Sequence, residues 1–245
     1  LNKEDIDMDT KSSKNVLVAK IVLGLLLFVI GLIGTINFFS SRTSIDTSAS
    51  MIVMYIMLIV LVVLFVLTIF LKNPKWFIVA ICAIPMLYLV ITSIMSKTFS
   101  DFYFCIDLGL LAFAVLIAMK QDKFALLVGG GVITLGLLIQ ITTESITSGR
   151  CAFSYYASEL FTGIAILVIG ILTLALKNRK ALGTLWYVPL AAWVLGSFVF
   201  CLMEYNTYWG GDLFNFFYYV IFTMAGLGTV IPIATVGLYI AYNVK

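Results

Sequence analysis

Apolar residues in this chain do not alternate with polar ones; they come in long blocks separated by short polar breaks. Residues 21–35, 51–71, 124–143 and 160–176 contain no charged side chain at all. A helix needs roughly 18 to 20 apolar residues to cross the hydrocarbon core of a bilayer, and most of these blocks approach or exceed that length. The pattern predicts eight spanning helices, near residues 16–39, 51–71, 76–95, 101–119, 124–143, 155–176, 182–203 and 213–242. Barrel strands would alternate polar and apolar positions over about ten residues, which this chain does not do. The expected fold is therefore all-α, a polytopic integral membrane protein.

The first apolar block follows a mixed polar segment, LNKEDIDMDTKSSKN, and is longer than the 7 to 15 or so residues of a signal-peptide core. It is expected to be a retained helix, with residues 1–15 as a polar cytoplasmic segment. No Pro-, Ser- or Gly-rich linker divides the rest, so no soluble domain is expected.

Residues 67–75 read LTIFLKNPK and residues 172–180 read LTLALKNRK, an ungapped echo 105 positions apart. The same offset pairs Gly24 with Gly129, Gly31 with Gly136, Ser40 with Ser145, and Asp107-Leu108 with Asp212-Leu213. Self-similarity of this kind predicts two repeated units, residues 16–120 and 121–245, each of four helices. Four is an even number, so the repeats would insert in the same direction, related by an axis along the membrane normal.

Charge orients the arrangement. The connections KNPK, KQDK and KNRK and the leading KSSK, together with Lys3, Lys20 and Lys245, place twelve of the fifteen Lys and Arg residues on one side, with only Arg42, Lys97 and Arg150 on the other. The excess of basic residues inside predicts that both termini are cytoplasmic. A bacterial cytoplasmic membrane is expected, since no Arg- and Ser-rich, acid-poor leader precedes the first span. Hydrophobic residues make up 62% of the chain and charged ones 11%, against about 25% charged in a soluble domain, which agrees with this reading.

Few positions carry candidate chemistry. Asp107 and Asp212 hold equivalent places at the start of the fourth span of each repeat; an Asp there can cap a helix, or act as a functional acid in the membrane. A helix beginning at Asp107 would have too few residues before Lys120 to span, so Asp107 is expected either several residues inside its helix or in a span that runs past Lys120. Glu159, Glu144 and Glu204 fall near outer helix ends, as a solvated rim or as an acidic vestibule. Pro85 and Pro189 are expected to kink the third and seventh spans alike, and Gly226, Gly228 and Pro232 to kink or break the eighth. Cys105, Cys151 and Cys201 map near the outer face, where two of them can pair as a disulfide, but free thiols are the expectation, since buried cysteine is common as a small apolar residue. Lys20 is expected to reach for the cytoplasmic surface, and the Tyr155-Tyr156 pair to belong to an aromatic belt.

The chain has no histidine, no GxSxG elbow and no phosphate-binding GxxxxGK[ST] loop, so an enzyme is not expected, nor a cofactor, a metal or a nucleic-acid partner. Two readings stay open. One is a transport protein or transport-complex subunit for a neutral or amphipathic solute. The other is a non-transporting scaffold, immunity or accessory subunit that binds another membrane protein, or its own copy, within the lipid bilayer.

Overall fold

A computed structural model of the chain describes residues 3–41, 49–71, 74–96, 104–149, 151–176, 180–208, 213 and 224–243. Helix α1 covers Lys3–Ser41, α2 Ala49–Phe70, α3 Lys75–Ser96 and α4 Phe104–Ala118. They are followed by α5 (Asp122–Ser148), α6 (Phe153–Ala175), a 3₁₀ segment (Lys180–Tyr187), α7 (Val188–Tyr208) and α8 (Met224–Asn243). Among the described residues there is no strand, as expected for backbone that must satisfy its own hydrogen bonds in lipid.

Six of these helices have stretches long and apolar enough to cross a membrane: Lys14–Ile33, Met51–Phe70, Lys75–Ile94, Asp122–Ser148, Phe153–Ala175 and Leu182–Glu204. The remaining two, Phe104–Ala118 and Gly228–Tyr242, are apolar but shorter. The polar segment at the start is not a separate coil; α1 begins at Lys3 and runs through it.

Helices α2 to α7 pack in chain order, each on the next, and α8 lies against α1, α2, α3, α7 and the 3₁₀ segment. Every residue of α8 from Val230 to Ala241 is buried, which makes the last helix the axis of the bundle. Its apolar filling includes Val230, Ile231, Ile233, Val236, Leu238 and Ile240. Phe113 of α4 meets the Tyr239 ring edge-on at 4.9 Å.

One end of the bundle is basic. The Lys20 ammonium donates to the Leu71 carbonyl at 3.2 Å, Tyr242 donates to the same oxygen at 3.4 Å, and Lys75 pairs with Asp122 at 2.9 Å. The near ends of α2, α3, α5 and α8 therefore share one face with the middle of α1 around Lys20. Lys20 also lies 5.3 Å above the Tyr242 ring.

The two sequence halves do not pack alike. Helix α5 lies on α6 along its length, whereas α1 barely touches α2. A Cβ at Gly136 would meet the Cys105 sulfur at 2.9 Å, and one at Gly31 would meet nothing within 4 Å among the described residues. Prolines differ as well. Pro85 is inside α3, but Pro189 sits in the first turn of α7, where its missing N–H costs no helical bond. The residues before it wind as 3₁₀ instead of meeting its ring in an α-turn, so the expected matching kink in the seventh span is replaced by a change of helix type. Of the kink or break expected at Gly226, Gly228 and Pro232, a break does not form: α8 is continuous through both glycines and holds Pro232 within it.

Candidate functional site

The polar side chains collect in α4 to α7, toward the end opposite the basic face. Helix α4 explains the placement of Asp107. Its last turn closes with Gln121 N–H donating to the Leu116 carbonyl at 2.8 Å and Lys120 N–H to the Ile117 carbonyl at 3.1 Å, with Lys120 at a φ of 62°. This is a Schellman end, with a lysine where glycine is usual. The helix thus stops at Ala118, and Asp107 stands in its first turn. Eleven residues at 1.5 Å each put Asp107 about 17 Å along α4 from its basic-face end. Of the two placements expected from the sequence, the span that runs past Lys120 does not form: α4 ends at Ala118, with Asp107 its fourth residue.

Glu159 lies on α6 and is 6% exposed. Ser158 donates to its Oε2 at 2.7 Å. Asp107 is partly buried and close enough to Glu159 for the two charges to repel each other.

A hydrogen-bonded chain runs beside this pair. The Cys105 thiol donates to Gln140 Oε1 at 3.3 Å, Gln140 Nε2 donates to the Tyr156 hydroxyl at 3.1 Å, and that hydroxyl donates to Glu144 Oε1 at 2.6 Å. Three helices, α4, α5 and α6, are joined by it. Gln140 and Glu144 are four residues apart, so both point from one face of α5. A parallel link joins α6 to α7, where the buried Ser154 hydroxyl donates to Glu204 Oε1 at 2.6 Å.

Below these groups the helices approach backbone to backbone. A Cβ on Gly109 would fall 2.7 Å from the Gly129 carbonyl, one on Gly130 2.3 Å from Leu167 N, and one on Gly170 2.5 Å from Leu127 N. Gly196 does the same for α7, 2.4 Å from the Ala157 carbonyl. Only glycine permits such contacts. They hold α4 to α7 in fixed register and close the region on the side of the basic face.

Of the acids expected to matter, Asp107 and Glu159 come together, and Glu204 and Glu144 lie on the links beside them. Asp212 falls outside the described residues, as do Lys97, Arg150 and Arg42, the cations that could have paired with them. Cys105, Cys151 and Cys201 are free thiols, and no pair is joined: Cys201 is buried, Cys151 exposed, and Cys105 committed to Gln140. Tyr156 is the residue sequence reasoning missed. It is 1% exposed, an interior hydrogen-bond hub and no part of a belt. The four-residue spacings of Gln140 with Glu144 and of Ser154 with Ser158 were the available signals.

In comparisons with known proteins, no family profile, no curated protein and no solved structure matches the chain. The reading of function rests on the site itself.

Proposed function

We propose that the chain is an eight-span transport protein, or the solute-binding subunit of a transport complex, oriented with its basic face in the cytoplasm of a bacterial cell. What supports this is the pair of acids Asp107 and Glu159 on apolar helices α4 and α6, Glu159 buried at 6% exposure, with no cation bonded to either among the described residues. Ionisable groups held in hydrocarbon are expensive and mark substrate or ion pathways. The pair and the chain from Cys105 to Glu144 offer carboxylates, a hydroxyl and an amide amid apolar walls, which suits an amphipathic solute that presents hydrogen-bond donors or a positive charge. On this reading the solute site lies among α4, α5 and α6, where the first sequence half meets the second, and away from α8, whose apolar side chains fill the rest of that interface.

The eight crossings fit the shared face of Lys20, Leu71 and Tyr242, since a chain that starts and ends at one face has crossed an even number of times. The parallel duplication stays a reading of the sequence echo; in three dimensions its halves have diverged in packing.

Flux into proteoliposomes tests the reading, with a set of small amphipathic amines and their neutral counterparts as probes. Wild type should carry at least one of them, and Asp107→Asn or Glu159→Gln should reduce that flux at least tenfold while the protein stays folded. A second reading, an accessory subunit that binds another membrane protein, is favoured by the dry axis at α8. Absent flux in every variant, with a stoichiometric partner copurifying, would put that reading in its place.

A further inference from the structure

Helix α8 combines a weak point with two ties beyond it. Pro232 has no N–H, so the carbonyl four residues back, that of Gly228, lacks its helical hydrogen bond. Gly228 has no side chain to brace the gap, and Thr235 turns its hydroxyl back on the Ile231 carbonyl at 2.8 Å, a contact that loosens and bends helices. From this point to the basic face, α8 is enclosed by the rest of the bundle. At its end two tyrosines hold it. Tyr239 donates to the Asp122 carbonyl at the start of α5 at 3.2 Å, and Tyr242 donates to the Leu71 carbonyl at the end of α2 at 3.4 Å. The Leu71 oxygen also receives Lys20, whose ammonium covers the Tyr242 ring, and Asp122 is held by Lys75.

We propose that α8 is a hinged plug: it swings about Gly228–Pro232, and the Tyr239 and Tyr242 hydroxyls latch it shut at the basic face. The argument is one of placement. A helix that was only structural filler would need neither a proline at its middle nor hydroxyls at its end, since apolar packing alone seats its other side chains. Between hinge and latch the side chains are apolar, apart from Thr235, which bonds its own helix, so no side chain there holds a polar bond to a neighbour; the close contact to be released is that of Gly237 with the Trp186 carbonyl. Of the two ties, Tyr242 is at the rim, where water can replace its bond on opening, while Tyr239 is buried at 2% exposure and is released only as the helix withdraws. The device goes beyond the transport reading, because opening requires no solute and can be read without flux.

Cys82 is a built-in reporter. It lies on the buried stripe of α3 with Ile78 and Ile81, about two turns in from the basic face, and is fully buried. The full-length chain with Cys105, Cys151 and Cys201 replaced by Ala, in lipid nanodiscs that leave both faces open, is treated with a small water-soluble methanethiosulfonate. Cys82 should label slowly, and the Tyr239→Phe/Tyr242→Phe variant should label at least about tenfold faster, the effect of losing two modest hydrogen bonds. Adding Gly228→Ala and Pro232→Ala should restore slow labelling by stiffening the hinge; a Cβ at Gly228 meets Met57 only at 3.4 Å, so the replacement fits. A matching chain keeping only Cys201, buried in α7 away from the latch, should stay slow throughout. Unchanged labelling at Cys82, equal acceleration at Cys201, or acceleration that hinge stiffening does not reverse would each overturn the device. If the double variant does not fold, Lys20→Met removes the third tie alone and should raise labelling about threefold; no rise there counts equally against it.

Discussion

Helices α4 to α7 and helices α1 to α3 are made of similarly apolar sequence yet are held together differently. In the first group backbones touch: Gly130 lies against Leu167, Gly170 against Leu127 and Gly196 against Ala157. In the second group, a Cβ on Gly24 would meet the end of the Ile69 side chain and one on Gly31 would meet nothing within 4 Å among the described residues, while residues such as Phe28, Ile59 and Phe70 point outward at 67%, 63% and 80% exposure. Lipid tails solvate leucine as well as a neighbouring helix does, so apolar content alone does not draw helices close; small residues and polar links do. The polar groups of the candidate site lie where the backbone contacts are. A buried carboxylate such as that of Glu159 needs a fixed partner, here Ser158, and the glycine contacts hold the helices around it.

Substituting the glycines gives the largest contrast. Gly130→Leu places carbon atoms where the α6 backbone runs and should destabilise the protein by about 3 kcal/mol or more. Gly31→Leu, on the open face of α1, should change stability by less than about 0.5 kcal/mol. Thermal unfolding in detergent, followed by gel filtration, separates the two. Equal effects would show that α1 is as tightly seated as α5.

Polar links come next in size. Ser154→Ala removes the hydrogen bond to the Glu204 carboxylate and should cost about 2 kcal/mol, as a bond to a charged group does. Thr142→Ala, whose hydroxyl turns back on its own helix at the exposed end of α5, should cost almost nothing. If Ser154→Ala is also silent, Glu204 draws its stability from water, and the α6–α7 link does not belong to the rigid frame.

The end of α4 predicts a gain. Lys120 adopts a φ of 62°, a region that penalises side chains with a Cβ. Lys120→Gly should therefore stabilise the protein by about 1 kcal/mol in the same unfolding assay. A loss would mean that the lysine is held by the basic face strongly enough to outweigh the strain.

Much of the fold was legible in the apolar blocks, because a bilayer imposes length on helices whatever their neighbours are. The central position of α8 was not, since hydropathy measures a segment's affinity for an apolar medium and cannot say whether lipid or protein supplies it. Residues 160–176 and 224–243 read alike, yet the first lies at the side of the bundle and the second at its axis. The site was partly visible. Asp107 and Glu159 stood out as acids in apolar surroundings, but the distance of Asp107 from the end of α4 depends on the Schellman end at Lys120, which the KQDK loop does not announce. Tyr156 was hidden because a tyrosine near a helix end suits both a lipid interface and an interior hub, and only the position of Gln140 and Glu144 across the helix pair decides between them. The offset of 105 residues drew Pro85 and Pro189 together as equivalents, while the 3₁₀ segment before Pro189 gives the second one a different task.

The smallest expected effect concerns the one ion pair found between the two groups of helices among the described residues. Lys75 of α3 and Asp122 of α5 meet at 2.9 Å, but their side chains are 36% and 42% exposed at the basic face. Water screens such a pair, and Lys75→Met should cost only about 0.5 kcal/mol. The loss should fade when unfolding is repeated near 1 M salt, where the screening length falls to about 3 Å. Asp122 Oδ1 gives the alternative outcome a definite cause, because it is shielded and has no hydrogen-bond partner of its own. Should Lys75→Met cost more than about 1.5 kcal/mol and resist salt, the carboxylate is effectively desolvated, since leaving a buried charge without its partner carries that kind of penalty. The comparison would then change: α3 would be tied to α5 as firmly as the glycines tie α5 to α6, and the rigid frame would begin one helix earlier in the chain.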